Sequence, residues 1–157
     1  MADETSDAAA VRVPPPLVFV AGVLAGAVLG WAAPLRLGLS TGARIAVAAV
    51  IGALGLCLGT PAFALMRRSG QNPAPWTSTP ALLGAGVYRV SRNPMYVGMA
   101  LLQTAIGVGA ANGWILLLVP VATAVVWATA VRHEEAYLER RFGESYLAYK
   151  RRVRRWI

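Results

Sequence analysis

Two polar clusters interrupt an otherwise apolar sequence. The first runs Tyr88-Arg89-Val90-Ser91-Arg92-Asn93-Pro94-Met95-Tyr96-Val97-Gly98. The second opens with Arg132-His133-Glu134-Glu135. Asn93 before Pro94 predicts a helix start, with Asn as N-cap and Pro at the first helical position. A helix N-terminus flanked by Arg89 and Arg92 suits an anion. An adjacent acidic pair at the end of an apolar run needs a matching cation, supplied by Arg132 or by the amine of a ligand. A plainer assignment also covers every residue. Tyr88 and Tyr96 suit an interfacial aromatic belt, the arginines suit membrane anchoring, and the glutamates suit salt bridges with neighbouring arginines. His133 reads as an interfacial side chain.

Other chemistries are poorly supplied. Cys57 and His133 are the only residues of their types. A zinc site built from N and S ligands is excluded, and so is an intramolecular disulfide. Gly22, Gly26 and Gly30 do not read as a nucleotide loop, because no strand precedes them and no helix start follows. Their four-residue spacing predicts one small-residue face, for an internal helix contact or for a dimer.

The elements that must position the clusters are apolar. The 157 residues are 57% hydrophobic and 14% charged, against about 25% charged in a soluble domain. The net charge of +8 lies between and after the apolar runs, which favours a membrane surface over nucleic acid as its partner. Residues 1–13 read as a disordered tail that lacks the basic start of a cleavable signal. Residues 14–157 read as a single membrane domain. Uncharged runs predict spans at about 15–35 and 45–66. Pro61 is expected to bend the second. The 39 residues from Asn93 to Val131 carry no charge. As one helix they would reach about 58 Å, too long for a hydrocarbon core of about 30 Å. Two spans, about 94–110 and 114–131, joined by a turn at Gly109–Gly113, fit better, with Pro120 expected to bend the latter. Ser69 to Val87 is a Pro- and Gly-punctuated connector, long enough for a lid or binding loop. Residues 132–157 carry Tyr137, Leu138, Phe142, Tyr146, Tyr149, Val153 and Trp156 at three- and four-residue steps. This predicts an amphipathic helical segment, broken near Gly143, that lies on the membrane or caps the bundle.

The expected fold is therefore an all-α integral membrane protein with four transmembrane helices and a C-terminal amphipathic segment. Arg67, Arg68, Arg89 and Arg92 lie in one connector, and Arg132 with seven further basic residues follows the last span. Arg36 and Arg44 alone mark the other side. Four spans would put both basic segments, both termini and both polar clusters on the cytoplasmic face.

With both clusters in place, a family resemblance becomes specific. Gly86-x-Tyr88-x-x-x-Arg92-Asn93-Pro94-x-Tyr96-x-Gly98 is followed, after a hydrophobic hairpin, by Glu134-Glu135-x-x-Leu138 and Phe142-Gly143-x-x-Tyr146-x-x-Tyr149-x-x-x-Val153. This order resembles the isoprenylcysteine carboxyl methyltransferase and phospholipid methyltransferase superfamily over about residues 80–157. The resemblance implies an S-adenosylmethionine-dependent membrane methyltransferase acting on a lipophilic or membrane-resident acceptor, such as a prenyl-cysteine carboxylate or a phospholipid amine. It implies a cofactor pocket formed by Tyr88, Arg92, Asn93, Pro94, Tyr96, Gly98, Glu134 and Glu135. Arg132, Tyr146 and Tyr149 are implied on the acceptor side. No catalytic residue is assigned. The family's commoner residue at position 93 is His, and Asn cannot accept a proton in its place.

The chemistry of the cofactor agrees. A carboxylate such as Glu134 suits its amine or ribose hydroxyls, while Arg92 and a helix N-terminus suit its carboxylate. Tyrosine faces suit its sulfonium. Methyl transfer is an in-line displacement, so alignment carries much of the catalysis. Two alternatives stay open at this point. One is an NADPH-dependent membrane reductase related to sterol reductases, which share a similar C-terminal pattern. The other is a non-catalytic lipid-binding membrane module.

Overall fold

The computed structural model describes residues 13–71 and 80–157. The tail at 1–12 and the centre of the connector, 72–79, lie outside the described residues. Among those described, the chain is all-helical. It runs α1 (Pro15–Ala32), α2 (Thr41–Arg68), a 3-10 turn at Gly86–Arg89, α3 (Pro94–Gly109), α4 (Gly113–Val126), a π-helical stretch at Trp127–Val131, α5 (Arg132–Phe142) and α6 (Glu144–Arg152).

Among the described residues, three helical stretches are long and apolar enough to cross a membrane: Pro15–Ala32, Thr41–Arg68 and Gly113–Phe142. Pro94–Gly109 is apolar but shorter. The second helix begins earlier than its uncharged run, because Ser40 caps it by accepting from the backbone N–H of Ala43. It also continues past Pro61 to Arg68. The last predicted span ends at residue 131. Charge enters there, but the helix does not stop. It passes through the π-helical turn into α5 and ends at Gly143, whose φ of +49° breaks it. The charge step marks the edge of an apolar zone, which is not a backbone signal.

Packing pairs α2 with α3 and α1 with α4, and α3 also lies against both α1 and α4. The glycine stripe of α1 serves these internal contacts. Gly22 faces Gln103, Gly26 faces Ile115, and Gly30 faces Asn112. A Cβ at Gly26 would sit 2.6 Å from a side-chain carbon of Ile115. The outward face of α1 is Leu17, Val20, Leu24 and Val28, all more than half exposed. Aliphatic side chains in that setting are solvated by lipid. Phe19, Tyr96, Ala122, Val126, Ala130 and Val131 form the buried cluster where α1, α3 and α4 meet.

The α3–α4 turn is held by Asn112. Its Oδ1 accepts from the N–H groups of Trp114 and Ile115, and its Nδ2 donates to the carbonyl of Gly26 at 3.0 Å. One side chain thus caps α4 and ties it to α1. Asn112→Ala is expected to destabilise the protein by about 2 kcal/mol, one part cap and one part hydrogen bond. Thermal unfolding in detergent measures this. An unchanged midpoint would count against the tie.

Candidate functional site

The first cluster begins where the connector returns to the bundle. The 3-10 turn at Gly86–Arg89 buries Tyr88. The Tyr88 carbonyl accepts the Tyr149 hydroxyl at 2.7 Å, which fastens α6 to the turn. The backbone then passes Ser91 and Arg92 and enters α3 with Pro94 in its first turn. Asn93 holds the N-cap position, but its side chain does not cap, contrary to the sequence expectation. The Ser91 hydroxyl accepts from the Asn93 N–H instead. The Asn93 Nδ2 is thereby free to donate 3.1 Å to the carbonyl of Arg155.

That carbonyl is a meeting point. The Ser91 hydroxyl also donates to it, at 3.3 Å, and the Arg92 N–H donates to the neighbouring carbonyl of Arg154 at 3.0 Å. Residues 153–157, which leave α6, are therefore stitched along the entrance to α3. Val153 packs with Tyr146 and Tyr149, and Trp156 packs against the cluster around Phe19 and Tyr96.

The two glutamates have different partners. Tyr96 donates its hydroxyl to Glu134 Oε1 at 2.6 Å, a bond across 38 residues. Glu135 is buried, 7% exposed. Arg155 takes it with a two-pronged grip, Nε to Oε1 at 3.0 Å and Nη2 to Oε2 at 2.9 Å. Arg92 Nη1 approaches Oε1 at 3.4 Å. That is an ion-pair contact without hydrogen-bond alignment. Arg92 Nε and Nη1 are buried with no hydrogen-bond partner among the described residues. A buried guanidinium N–H without an acceptor is costly.

The surrounding titrations follow from burial. The Tyr146 hydroxyl is pushed up to about 12 by burial and by the nearby Glu135 charge, with Arg92 acting against them. Tyr149 is pushed up to about 12 by burial, again opposed by Arg92. Tyr88 rises above its ordinary value, chiefly by burial. The Arg155 guanidinium is raised, first by its hydrogen bonds to Glu135. These tyrosines are neutral donors at physiological pH.

The residues singled out from sequence do not all converge. Tyr96, Glu134, Arg92, Glu135, Tyr146 and the N-terminal end of α3 with Asn93 and Pro94 come together. Tyr88 and Tyr149 form a supporting layer. Gly98 points elsewhere, against Gly55 and Gly59 of α2. Arg132, expected to match the acidic pair, is exposed, and its Nε meets the His133 ring at 3.4 Å. The cations at Glu135 are Arg155 and Arg92. Arg155 and Ser91 were missed by the sequence reading. Arg155 looked like one more charge in a basic run, and only the rule that a buried carboxylate needs a cation could have prompted a search for it.

Beside this cluster lies an apolar groove of about 280 Å³ between α2 and α3. Met95, Gly98 and Met99 line it from α3, facing Gly59 and Phe63 of α2. Among the described residues no group of His, Cys, Asp and Glu could hold a metal ion.

Comparison with known proteins sets this geometry in a family. The phospholipid methyltransferase family matches residues 43–145, from the start of α2 to the start of α6. The chain belongs to the phospholipid methyltransferase family. An uncharacterised protein of Haemophilus influenzae is 35% identical over 63 residues, which cover 40% of this chain and 100% of that protein. No solved structure matches the chain. Membership of the phospholipid methyltransferase family, with three helices able to cross a membrane, makes this a membrane methyltransferase. The family match includes both glutamates and stops before Arg155, so the grip on Glu135 is a finding of the structure alone.

Proposed function

We propose that the protein transfers a methyl group from S-adenosylmethionine to a lipophilic acceptor that reaches the site from the bilayer. The observation that carries this reading is the buried Arg92 guanidinium, with two nitrogens unpartnered among the described residues, at Glu135, the residue next to the Tyr96-bonded Glu134. The donor set fits the cofactor's amino-acid end, which bears one anionic and one cationic group. The Arg92 guanidinium, with N–H groups that have no acceptor among the described residues, meets the carboxylate. Glu134, oriented by Tyr96, holds the amine or the ribose hydroxyls. Glu135 acts from behind, because Arg155 already occupies both of its oxygens. Bound S-adenosylmethionine supplies an electrophilic methyl group on a sulfonium.

The protein's own contribution is to bind, align and exclude water. Tyr88, Tyr146 and Tyr149 pack the walls, and Asn93 and Pro94 set the entry of α3. Asn93 donates to the Arg155 carbonyl and its amide is not a base, so deprotonation of the acceptor is not assigned to it. The groove along Met95, Gly98 and Met99 supports an acceptor with an apolar chain. In this reading α1 to α4 all cross the bilayer. The basic connector and the Arg-rich C-terminal segment then share the cytoplasmic side with the site, and Arg132 is free to meet an acceptor headgroup.

Calorimetry on the purified protein tests the proposal. S-adenosylmethionine and S-adenosylhomocysteine are expected to bind, and NADPH is not. Well-folded protein that binds neither sulfur ligand would overturn it.

A further inference from the structure

Glu135 is one buried carboxylate between two guanidinium groups, and it is not shared evenly. Arg155 meets it fork to fork, with bonds of 3.0 and 2.9 Å. Arg92, whose side chain is 8% exposed against 37% for Arg155, has only the misaligned 3.4 Å approach. The expected preference is the reverse. A buried arginine gains most from a two-pronged carboxylate pair, and a partly exposed one can turn to water. Something holds Arg155 in place. Its own carbonyl is pinned by Ser91 and Asn93, and Trp156 beside it packs into the α1–α3–α4 cluster. The residue is thus anchored through its backbone, and its side chain is presented to Glu135 whatever Arg92 does.

We propose that Arg155 is a positioning residue that reserves Arg92 for the ligand. By engaging both oxygens of Glu135, it keeps that carboxylate from closing on Arg92 and leaves the Arg92 guanidinium with N–H capacity for the carboxylate of a bound molecule. Glu135 still neutralises Arg92 at a distance, so the site tolerates the charge without satisfying its donors. The proposal rests on the S-adenosylmethionine reading of this cluster and deepens it. It assigns the selection for a carboxylate-bearing ligand to a competition between two anions for one arginine.

The test is a pair of variants read by S-adenosylhomocysteine calorimetry, with thermal unfolding of the ligand-free protein alongside. In Arg155→Met, Glu135 is released to Arg92, and binding is expected to weaken by roughly tenfold or more. Adding Glu135→Gln removes the competing charge. The double variant is expected to recover to within about threefold of wild type, a positive coupling between neighbouring sites. A purely structural role for Arg155 shows instead in the ligand-free protein, where the unfolding midpoint falls in the single variant and the loss and recovery of binding track it, because the cost is the stranded Glu135 charge. If Arg155→Met does not fold, Arg155→Lys replaces it. A lysine makes one bond where arginine makes two, so a smaller loss with the same recovery is expected. Wild-type affinity in the single variant, or no recovery in the double, overturns the proposal while leaving the binding site intact. Absence of binding in the wild type overturns the underlying reading as well.

Discussion

Arg92→Ala combined with Glu134→Ala is expected to weaken S-adenosylmethionine binding by roughly a thousandfold, from two charge-assisted interactions worth about 2 kcal/mol each. The structure makes this a clean experiment. Removing Arg92 leaves Glu135 in the grip of Arg155, so no buried carboxylate is orphaned. Removing Glu134 leaves Tyr96 a neutral hydroxyl, which costs far less than an unpaired charge. The fold should therefore survive both changes, and unfolding curves in detergent check that it does. The single variants, measured by the same calorimetry, complete a cycle that separates the two grips. Binding retained within about threefold in the double variant would place the site somewhere else.

The second large effect lies in the packing of α2 on α3. Gly98→Val is expected to destabilise the protein by about 3 kcal/mol or more, since overpacking against backbone cannot be relieved by a rotamer change. A Cβ at Gly98 would lie 2.8 Å from the carbonyl oxygen of Gly55 and 3.1 Å from Cα and N of Gly59. All three neighbours are main chain, and small residues on both helices are what allow this approach. The control is Gly52→Ala on the same helix pair, where the new Cβ meets only the Cβ of Ala105 at 3.7 Å. It should be tolerated. A Gly98→Val protein that melts with the wild type would show that the two helices do not touch there. Because Gly98 follows Tyr96 by two residues, the same change should also disturb the Tyr96–Glu134 bond. Loss of stability and loss of binding are expected together.

Local features were legible in the sequence, and distant pairings were not. The start of α3 at Asn93-Pro94, the turn before Gly113 and the break at Gly143 each depend on a few adjacent residues with strong backbone preferences. So does the all-helical, apolar character of the chain. The last span was ended at 131 on charge, and charge does not mark where a helix ends. Helix propensity does not fall at Arg132-His133-Glu134-Glu135, and the helix continues. The identity of Glu135's partner was out of reach. Arg132 is three residues away and Arg155 is twenty, and only the break at Gly143 brings the second close. Asn93 was read as a cap because Asn before Pro usually is one. Ser91, two residues earlier, takes the Asn93 N–H and releases the amide for another task.

The unbroken passage from Gly113 through Phe142 has a consequence for where the chemistry sits. Trp114 donates its indole N–H to the carbonyl of Ala33 at the far end of the bundle, and Glu134 lies twenty residues along the same helical rod. At 1.5 Å per residue the two are about 30 Å apart, the thickness of a hydrocarbon core. The rod is a ruler. With its tryptophan end held at one interface, its length sets the depth of the carboxylates at the other. In the proposed topology, lipid chain length enters the proposed function: a thicker bilayer draws Glu134 and Glu135 toward hydrocarbon, and a thinner one lifts them into the headgroups.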